Sequence, residues 1–274
     1  MPGEASIIEL ASWLQTPPGR YLLEWEQARL DAVVVDLFGF HALQLGLPEL
    51  AGLQANRMPH RWLALDRTER YSKTALTGPG LALFCEFDAL PFESASLDLV
   101  VLPHALELAS DPHQLLREAE RVLRPEGRLV ILGLNPASSW GLRQNLGRNL
   151  PGRPKPFLPQ DGEFMAYWRL RDWLRLLSFE VEAAQFGCYR PPLRSEAWLA
   201  RWSWIEPIGA RWWPVLGAVY FIQAVKRVHG MRLVGLEKSR KPVRGAAPAV
   251  AVQSHHHAGH HARHHTQQHK EQGS

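Results

Sequence analysis

The fold is decided by residues Asp88–Pro136, which read DALPFESASLDLVVLPHALELASDPHQLLREAERVLRPEGRLVILGLNP. The apolar runs at 97–102 (LDLVVL) and 129–134 (LVILGL) are typical of strands that are buried on both faces of a sheet. Between them, Asp111 and Pro112 have the residue types of a helix cap and a first helical position, and leucine and alanine then recur at helical spacing. The stretch therefore predicts a βαβ unit, in which a crossover helix joins two parallel strands.

The ordered pattern DALPF, LDLVV, HALEL, LLREAERVLRPEGRLVI and LNP in this stretch resembles the C-terminal half of a class I S-adenosylmethionine-dependent methyltransferase domain of the small-molecule type. The resemblance implies an α/β fold, with a Rossmann-like seven-stranded sheet that is mostly parallel, has one antiparallel edge strand, and carries helices on both faces. It also implies that S-adenosylmethionine (SAM) lies across the carboxyl ends of the first strands and that the substrate is a small molecule.

Length and composition predict one domain with appendages. The chain has 274 residues, of which 46% are hydrophobic, enough for a full α/β core. Short helices at 7–14 and 22–30 are predicted to pack, within residues 1–30, onto a methyltransferase-like domain that spans 31–235. Residues 236–274 are rich in Lys, Arg, Pro, Ala and Gly and hold eight of the thirteen histidines, so they predict a disordered tail without a folded metal site.

The basic charge of the chain is concentrated in this tail. The sequence pI is about 9.3, yet residues 226–274 hold nine of the 31 Lys and Arg and only two of the 27 Asp and Glu. The slightly acidic remainder does not favour a nucleic-acid-binding groove. Cys85 and Cys188 give no disulfide framework, and the acidic N-terminus is unlike an export signal, so a cytoplasmic location is expected.

The first strand is predicted at 32–36 (AVVVD), ending in Asp36, and the following helix at 41–50 (HALQLGLPEL). The turn between them holds one glycine, Gly39, between two phenylalanines, where the resembled family usually has two or three alternating glycines. Asp36, Phe38 and Gly39 are the predicted cofactor ligands of this turn. Because the turn departs from the family pattern, a second hypothesis stays open: a non-catalytic binding module that has lost its cofactor.

Acidic residues follow the next two predicted strands. Asp66 ends the second strand (61–66, RWLALD), where its carboxylate would accept hydrogen bonds from ribose hydroxyls, or it is a solvated turn residue. Asp88 follows the third strand, where the resembled family places a group near the adenine amino group, or it caps the next turn. Ala89 and Leu90 would supply backbone contacts to the adenine ring.

Pro103 and His104 follow the fourth strand at the mouth of the predicted cleft, and Pro103 is a predicted cofactor contact. The imidazole of His104 could accept a substrate proton as a general base, or it is a structural histidine beneath the cofactor. The second role is favoured, because methyl transfer needs mainly proximity and alignment. Glu107 is interpreted as a carboxylate on a helix face.

Two later segments are candidates for substrate or partner contacts. Residues 135–143, which include Trp140, are either a substrate loop or an ordinary loop and helix start. Residues 193–217 hold five of the eleven tryptophans, interleaved with arginines. Packing onto the sheet is the favoured interpretation of these tryptophans; the alternatives are an aromatic substrate wall and peripheral membrane contact through residues 198–213.

Overall fold

The computed structural model describes residues 10–66, 81–149, 157–158 and 164–227. Its strands are β1 (His41–Leu45), β2 (His60–Asp66), β3 (Leu81–Cys85), β4 (Leu97–Pro103), β5 (Leu123–Leu134), β6 (Phe179–Gly187) and β7 (Val219–Lys226). They form one seven-stranded sheet in the order β3-β2-β1-β4-β5-β7-β6. Among these described strands only β7 runs antiparallel to its neighbours, β5 and the edge strand β6. The predicted class I methyltransferase fold is confirmed.

Helices cover both faces of the sheet. They are α1 (Pro17–Val34), α2 (Ala105–Leu108), α3 (Pro112–Val122), α4 (Ser139–Asn149), α5 (Tyr167–Leu176), α6 (Glu196–Arg201) and α7 (Ile205–Trp212), followed by a 3-10 turn at Pro214–Leu216. Alternate residues of each strand point to opposite faces. Val100 and Leu102 of β4 belong to the core beneath α3 and α5, whereas Leu99 and Val101 belong to the core beneath α1. The sheet therefore separates two hydrophobic cores.

The βαβ unit formed by β4, α3 and β5 lies where the sequence predicted it. The Asp111 carboxylate accepts a hydrogen bond from the Gln114 backbone N–H at 3.0 Å, and Pro112 opens the helix. The apolar face of α3 is buried, and β4 pairs with β5 in parallel. The predicted second, third, sixth and seventh strands are also present.

The predicted first strand was wrong. Residues 32–34 are the last turn of α1, and the first strand is instead His41–Leu45, inside the predicted helix. The run of valines at 33–35 has a strand preference of its own. That preference is overridden because α1 buries one face completely, at positions four residues apart. These positions are Leu22, Glu26, Leu30 and Val34.

The start of α1 also differs from the prediction. Thr16 is the N-cap, its hydroxyl accepts from the Gly19 N–H, and Pro17 opens the helix. A proline in the first turn has no intrahelical hydrogen bond to lose, so Pro17 and Pro18 begin this helix at residue 17 rather than 22.

All of the described residues fall within one compact unit, Met1–Met231. The predicted tail at 236–274 lies outside the described residues. Within the described ranges, no helix is both long enough and apolar enough to span a bilayer.

Candidate functional site

The mutually parallel strands β1 to β6 end on one side of the sheet, which we call the carboxyl edge. In open α/β sheets, ligands bind outside the carboxyl ends of the strands, at the point where the strand order reverses. The order here reverses between β1 and β4. The residues that follow β1, β2, β3 and β4 therefore form the candidate site.

Gly46 is the glycine at the carboxyl end of β1. Its φ angle is +74°, and its N–H donates to the Ala64 carbonyl of β2 at 2.8 Å. A Cβ built on Gly46 would lie 3.7 Å from the Phe87 ring, which follows β3. A left-handed conformation is one that glycine adopts without steric cost, and the absence of a side chain leaves the strand end open.

The predicted turn ligands Asp36, Phe38 and Gly39 lie before β1, so their placement at the carboxyl edge was wrong. The Asp98 carboxylate, near the start of β4, accepts from the backbone N–H groups of Phe40 (2.7 Å) and His41 (2.9 Å). This segment therefore lies at the opposite, amino edge of the sheet. The error follows directly from the misplaced first strand, because the turn that would follow a strand at 32–36 is the turn that precedes β1.

Gln44 organises the loop that follows β1. Its side chain is buried, and its Nε2 lies within hydrogen-bond distance of the carbonyls of Gly46 (3.1 Å), Leu47 (3.0 Å) and Leu50 (2.9 Å). Its Oε1 accepts from the Gly52 N–H at 3.0 Å. An ionised carboxylate at this position could accept but could not donate. The loop conformation therefore depends on an amide.

The connection from β1 to β2 contains turns and no helix, and all of its residues, 46–59, are described. The predicted helix at 41–50 was therefore wrong, and no helix N-terminus faces the carboxyl edge after β1. The hydrogen bonds of the Gln44 side chain, rather than a helix, hold this connection in place.

Asp66 is the last residue of β2 and pairs in register with Cys85 at the end of β3. Burial, with the carboxylates of Asp66 and Glu86, raises the pKa of the Cys85 thiol to about 11. The effect on Cys85 places the Asp66 carboxylate close to the ends of both strands. This is the position that the sequence predicted for a ribose ligand.

The loop after β3 presents Asp88 to solvent. The Asp88 side chain is exposed, whereas the neighbouring backbone is tied to the protein. The Ala89 N–H donates to the Glu86 carbonyl at 3.3 Å, and the Leu90 N–H donates to the Glu118 carboxylate at 3.0 Å. The backbone donors predicted for adenine, Ala89 and Leu90, are thus used internally, whereas the Asp88 carboxylate is exposed.

His104 follows β4, whose last residue, Pro103, is buried, and it lies between two carboxylates. Its Nδ1 is 2.7 Å from Glu107 Oε2 and its Nε2 is 2.9 Å from Glu26 Oε1 of α1. The second oxygen of Glu107 accepts from the Leu134 N–H at the end of β5. All three side chains are buried, with at most 6% exposed. We call these residues the His104 cluster.

The His104 cluster favours a protonated imidazole. Burial by itself lowers the pKa of His104, but Glu26 and Glu107 together raise it well above its ordinary value. Burial raises the pKa of Glu107, and His104 opposes that effect. Because both ring nitrogens face carboxylates, both donate in the protonated form, which has no lone pair with which to accept a substrate proton. The geometry therefore gives His104 a structural role in this arrangement.

Sequence reasoning missed Glu26 and misplaced Glu107. Glu26 lies 78 residues from His104, and the predicted amphipathic helices did not single it out. Its signal was the four-residue spacing of Leu22, Glu26 and Leu30, which puts an acid inside an apolar stripe. Glu107 was interpreted as a helix-face carboxylate, but it is buried because α2 turns it back beneath β5.

Helix α1 covers the carboxyl edge on the side of β4, β5 and β6. Glu26 reaches His104 after β4, and the Trp25 indole packs so tightly against Gly187, at the end of β6, that an added Cβ would collide with it. Among the described residues, the edge is therefore divided into a covered half at β4 to β6 and a half at β1 to β3 that neither Glu26 nor Trp25 reaches, which we call the uncovered half.

Three side chains of residues 135–143, those of Asn135, Trp140 and Arg143, make contacts within the fold. Asn135 Nδ2 donates to the carbonyls of Val215 (2.8 Å) and Gly217 (2.9 Å), and Trp140 is fully buried with its indole N–H bonded to the Arg190 carbonyl at 2.7 Å. Arg143 Nη1 donates to the Pro192 carbonyl. These contacts support the interpretation as a loop and helix start. Among the described residues, no group of three His, Cys, Asp or Glu side chains is arranged to hold a metal ion.

Parts of this chain are similar to known proteins. The family model described as "Methyltransferase domain" matches residues 48–131. The uncharacterised protein YafS of Escherichia coli is 32% identical over 172 residues, 62% of this chain and 65% of YafS. The ubiquinone/menaquinone biosynthesis C-methyltransferase UbiE of Hahella chejuensis is 49% identical over 45 residues, 16% of this chain and 18% of UbiE. The chain thus spans less than two thirds of the length of these relatives.

A solved structure shares the fold. A SAM-dependent methyltransferase from Thermotoga maritima superposes with a TM-score of 0.56 at 18% identity, covering 76% of this chain and 90% of that protein. This agreement concerns the sheet and its helices.

Gln44→Glu should destabilise the protein by about 2–4 kcal/mol, because it buries a charge and leaves loop carbonyls without a donor. Urea unfolding at neutral pH measures the effect. Gln54→Glu is the matched control, because Gln54 is an exposed residue of the same loop, and it should change stability by less than about 0.5 kcal/mol. Equal effects of the two substitutions would contradict the role given to Gln44.

The His104 cluster predicts a pH-dependent stability. A histidine whose pKa is higher in the folded state than in the unfolded state stabilises the protein fully below the unfolded value of about 6.5, and this stabilisation is lost as the pH rises through the folded value. Glu26→Gln lowers the folded pKa of His104. The stability advantage of the wild type over this variant should therefore be greatest near pH 6 and shrink at alkaline pH.

Urea unfolding across this pH range measures the difference. Glu24→Gln is the control, because Glu24 is exposed on the same helix, and its curve should parallel that of the wild type. A Glu26→Gln curve that is also parallel at every pH would refute the charged cluster.

Proposed function

We propose that this chain, whose residues 48–131 match the methyltransferase-domain family model and whose sheet has the class I methyltransferase fold, is a SAM-dependent methyltransferase that acts on a small molecule. The observation that carries the proposal is the uncovered half of the carboxyl edge. There a left-handed glycine after β1 and carboxylates at the ends of β2 and β3 come from adjacent strands. These residues are Gly46, Asp66 and Asp88.

The residues of this half fit the adenosine part of SAM. A carboxylate at the end of β2 can accept two hydrogen bonds from vicinal ribose hydroxyls, which is the role proposed for Asp66. The Asp88 carboxylate can accept from the adenine amino group. Between them, Phe87 and Gly46 offer an apolar ring beside an open strand end.

The loop after β1 fits the methionine part through its backbone. Because the Gly46 carbonyl points at Gln44, the planar trans peptide directs the Leu47 N–H away from Gln44. A backbone N–H in that direction is a donor for a carboxylate. Pro48 has no N–H, so Leu47 carries this proposed contact.

SAM supplies an electrophilic methyl group on a sulfonium, and transfer requires an aligned nucleophile. The protein would hold the adenosine at β1 to β3 and position the acceptor nearby, next to the half of the edge that α1 covers. Because carboxylates occupy both nitrogens of His104, we assign this residue no substrate proton to accept. The proposed acceptor is accordingly a group that arrives neutral or deprotonated.

A cofactor-free binding module is the alternative, and the β1–β2 connection favours it. That connection lacks a helix and turns the Gly46, Leu47 and Leu50 carbonyls toward Gln44. The two candidates differ in whether the uncovered half takes the cofactor at all, so direct binding separates them.

Calorimetry with S-adenosylhomocysteine should detect binding to the wild type. Asp66→Asn and Asp88→Asn should each weaken it by about tenfold or more, because each removes a charge-assisted acceptor. Asp36→Asn is the control, since Asp36 is an exposed acid at the amino edge, and its affinity should equal that of the wild type.

The same titrations contain the outcomes that count against the proposal. Absence of binding at millimolar ligand would favour the binding module. An Asp36→Asn variant that loses affinity while Asp66→Asn keeps it would place the site at the wrong edge.

A further inference from the structure

The tryptophans of the segment 193–217 are largely exposed. The favoured sequence interpretation, packing onto the sheet, was wrong for four of them. Half or more of each of Trp198, Trp204, Trp212 and Trp213 is open to solvent, with Trp212 reaching 70%. A folded domain rarely leaves this much aromatic surface uncovered without using it for contact.

Two of these tryptophans share one face of α7. Trp204, Ile208 and Trp212 are four residues apart, which aligns them along one side of the helix. An adjoining side packs inward, where Gly209 lies so close to the Tyr189 ring that an added Cβ would collide with it. The exposed stripe continues from α7 into the 3-10 turn at Trp213, Val215 and Leu216. We call the stripe, with Trp198 of α6, the tryptophan surface.

Charged side chains of both signs lie in the segment that carries the tryptophan surface. Of the two acids in the segment, Glu206 accepts from the Tyr189 backbone N–H at 3.2 Å, and the exposed Glu196 pairs with Arg20 of α1 at 3.3 Å. Arg201 lies over the Trp198 ring at 5.5 Å, and Arg211 is exposed beside Trp212. The groups next to the exposed indoles are therefore basic.

We infer that the tryptophan surface docks onto an anionic phospholipid membrane. Indoles with aliphatic neighbours partition into the headgroup region, and arginines at the border of such a face pair with lipid phosphates. A symmetric pairing with a second copy would instead bring two copies each of Arg201 and Arg211 into one interface. Charge complementarity thus favours the lipid surface over self-association.

The docked face is fastened to the carboxyl edge. Asn135, directly after β5, donates to the carbonyls of Val215 and Gly217, which lie within and just after the tryptophan surface. Docking would therefore hold the covered half of that edge at the membrane surface. This inference stands independently of the proposed methyltransferase function, since it invokes neither SAM nor catalysis.

The test is co-sedimentation of the full-length protein with vesicles of phosphatidylcholine containing about one third phosphatidylglycerol. The wild type should bind, and the double variant Trp212→Ser/Trp213→Ser should partition at least about tenfold more weakly, because it loses two interfacial indoles. Phe38→Ser/Phe40→Ser is the matched control, as it removes two exposed rings at the amino edge, and its binding should equal that of the wild type.

Three results would overturn the inference. Equal vesicle binding by the wild type and the Trp212→Ser/Trp213→Ser variant would overturn it. If about 0.5 M salt then abolishes the binding of both proteins, the binding belongs to the basic tail. Absence of wild-type binding would overturn the inference directly. A wild type that sediments as a dimer without lipid, with the variant a monomer, would assign the surface to a second copy.

Discussion

The ion pair between Glu26 and His104 is the interaction on which the carboxyl edge depends. It joins the N-terminal helix to the end of β4, while Glu107 joins the same imidazole to the end of β5. Removing one partner from a buried ion pair leaves the other charge uncompensated, at a cost of about 3–5 kcal/mol. The covered half of the edge is thus held by a histidine between two carboxylates, of which Glu26 comes from a distant part of the chain.

The two halves of the carboxyl edge offer different groups to a ligand. The uncovered half has a glycine, an apolar ring and two acids at strand ends, which are groups suited to a nucleoside. The covered half is closed by α1 and by tight contacts such as Trp25 on Gly187. In this arrangement the helix that precedes β1 supplies the cover, while the connection after β1 is short and ordered by Gln44.

The sequence predicted the βαβ unit at 97–134, the class of the sheet and the positions of Asp66 and Asp88, because capping residues and buried apolar runs are local signals. It placed β1 nine residues too early, at Ala32 instead of His41, because a run of valines outweighed the four-residue stripe of α1. Because of that single error, the glycine turn was predicted at Gly39 instead of Gly46. The Glu26 partner of His104 was beyond sequence reasoning, since it depends on how α1 crosses the sheet.

Exposure was the other property that sequence could not supply. Tryptophan and arginine in alternation suit packing and membrane contact equally, and only the burial of Gly209 and the exposure of Trp212 separate the two. Local pattern therefore predicted which segments matter, whereas tertiary packing decided which face each one presents.

We propose that the uncovered half of the carboxyl edge, not the turn before β1, receives the cofactor. Hydrogen exchange measured with and without S-adenosylhomocysteine tests this placement, since a bound ligand slows exchange in the backbone that it contacts. We expect added protection in peptides covering residues 46–52 and 86–90 and unchanged exchange at 36–40. Protection confined to residues 36–40, or none at any of the three segments, would contradict it.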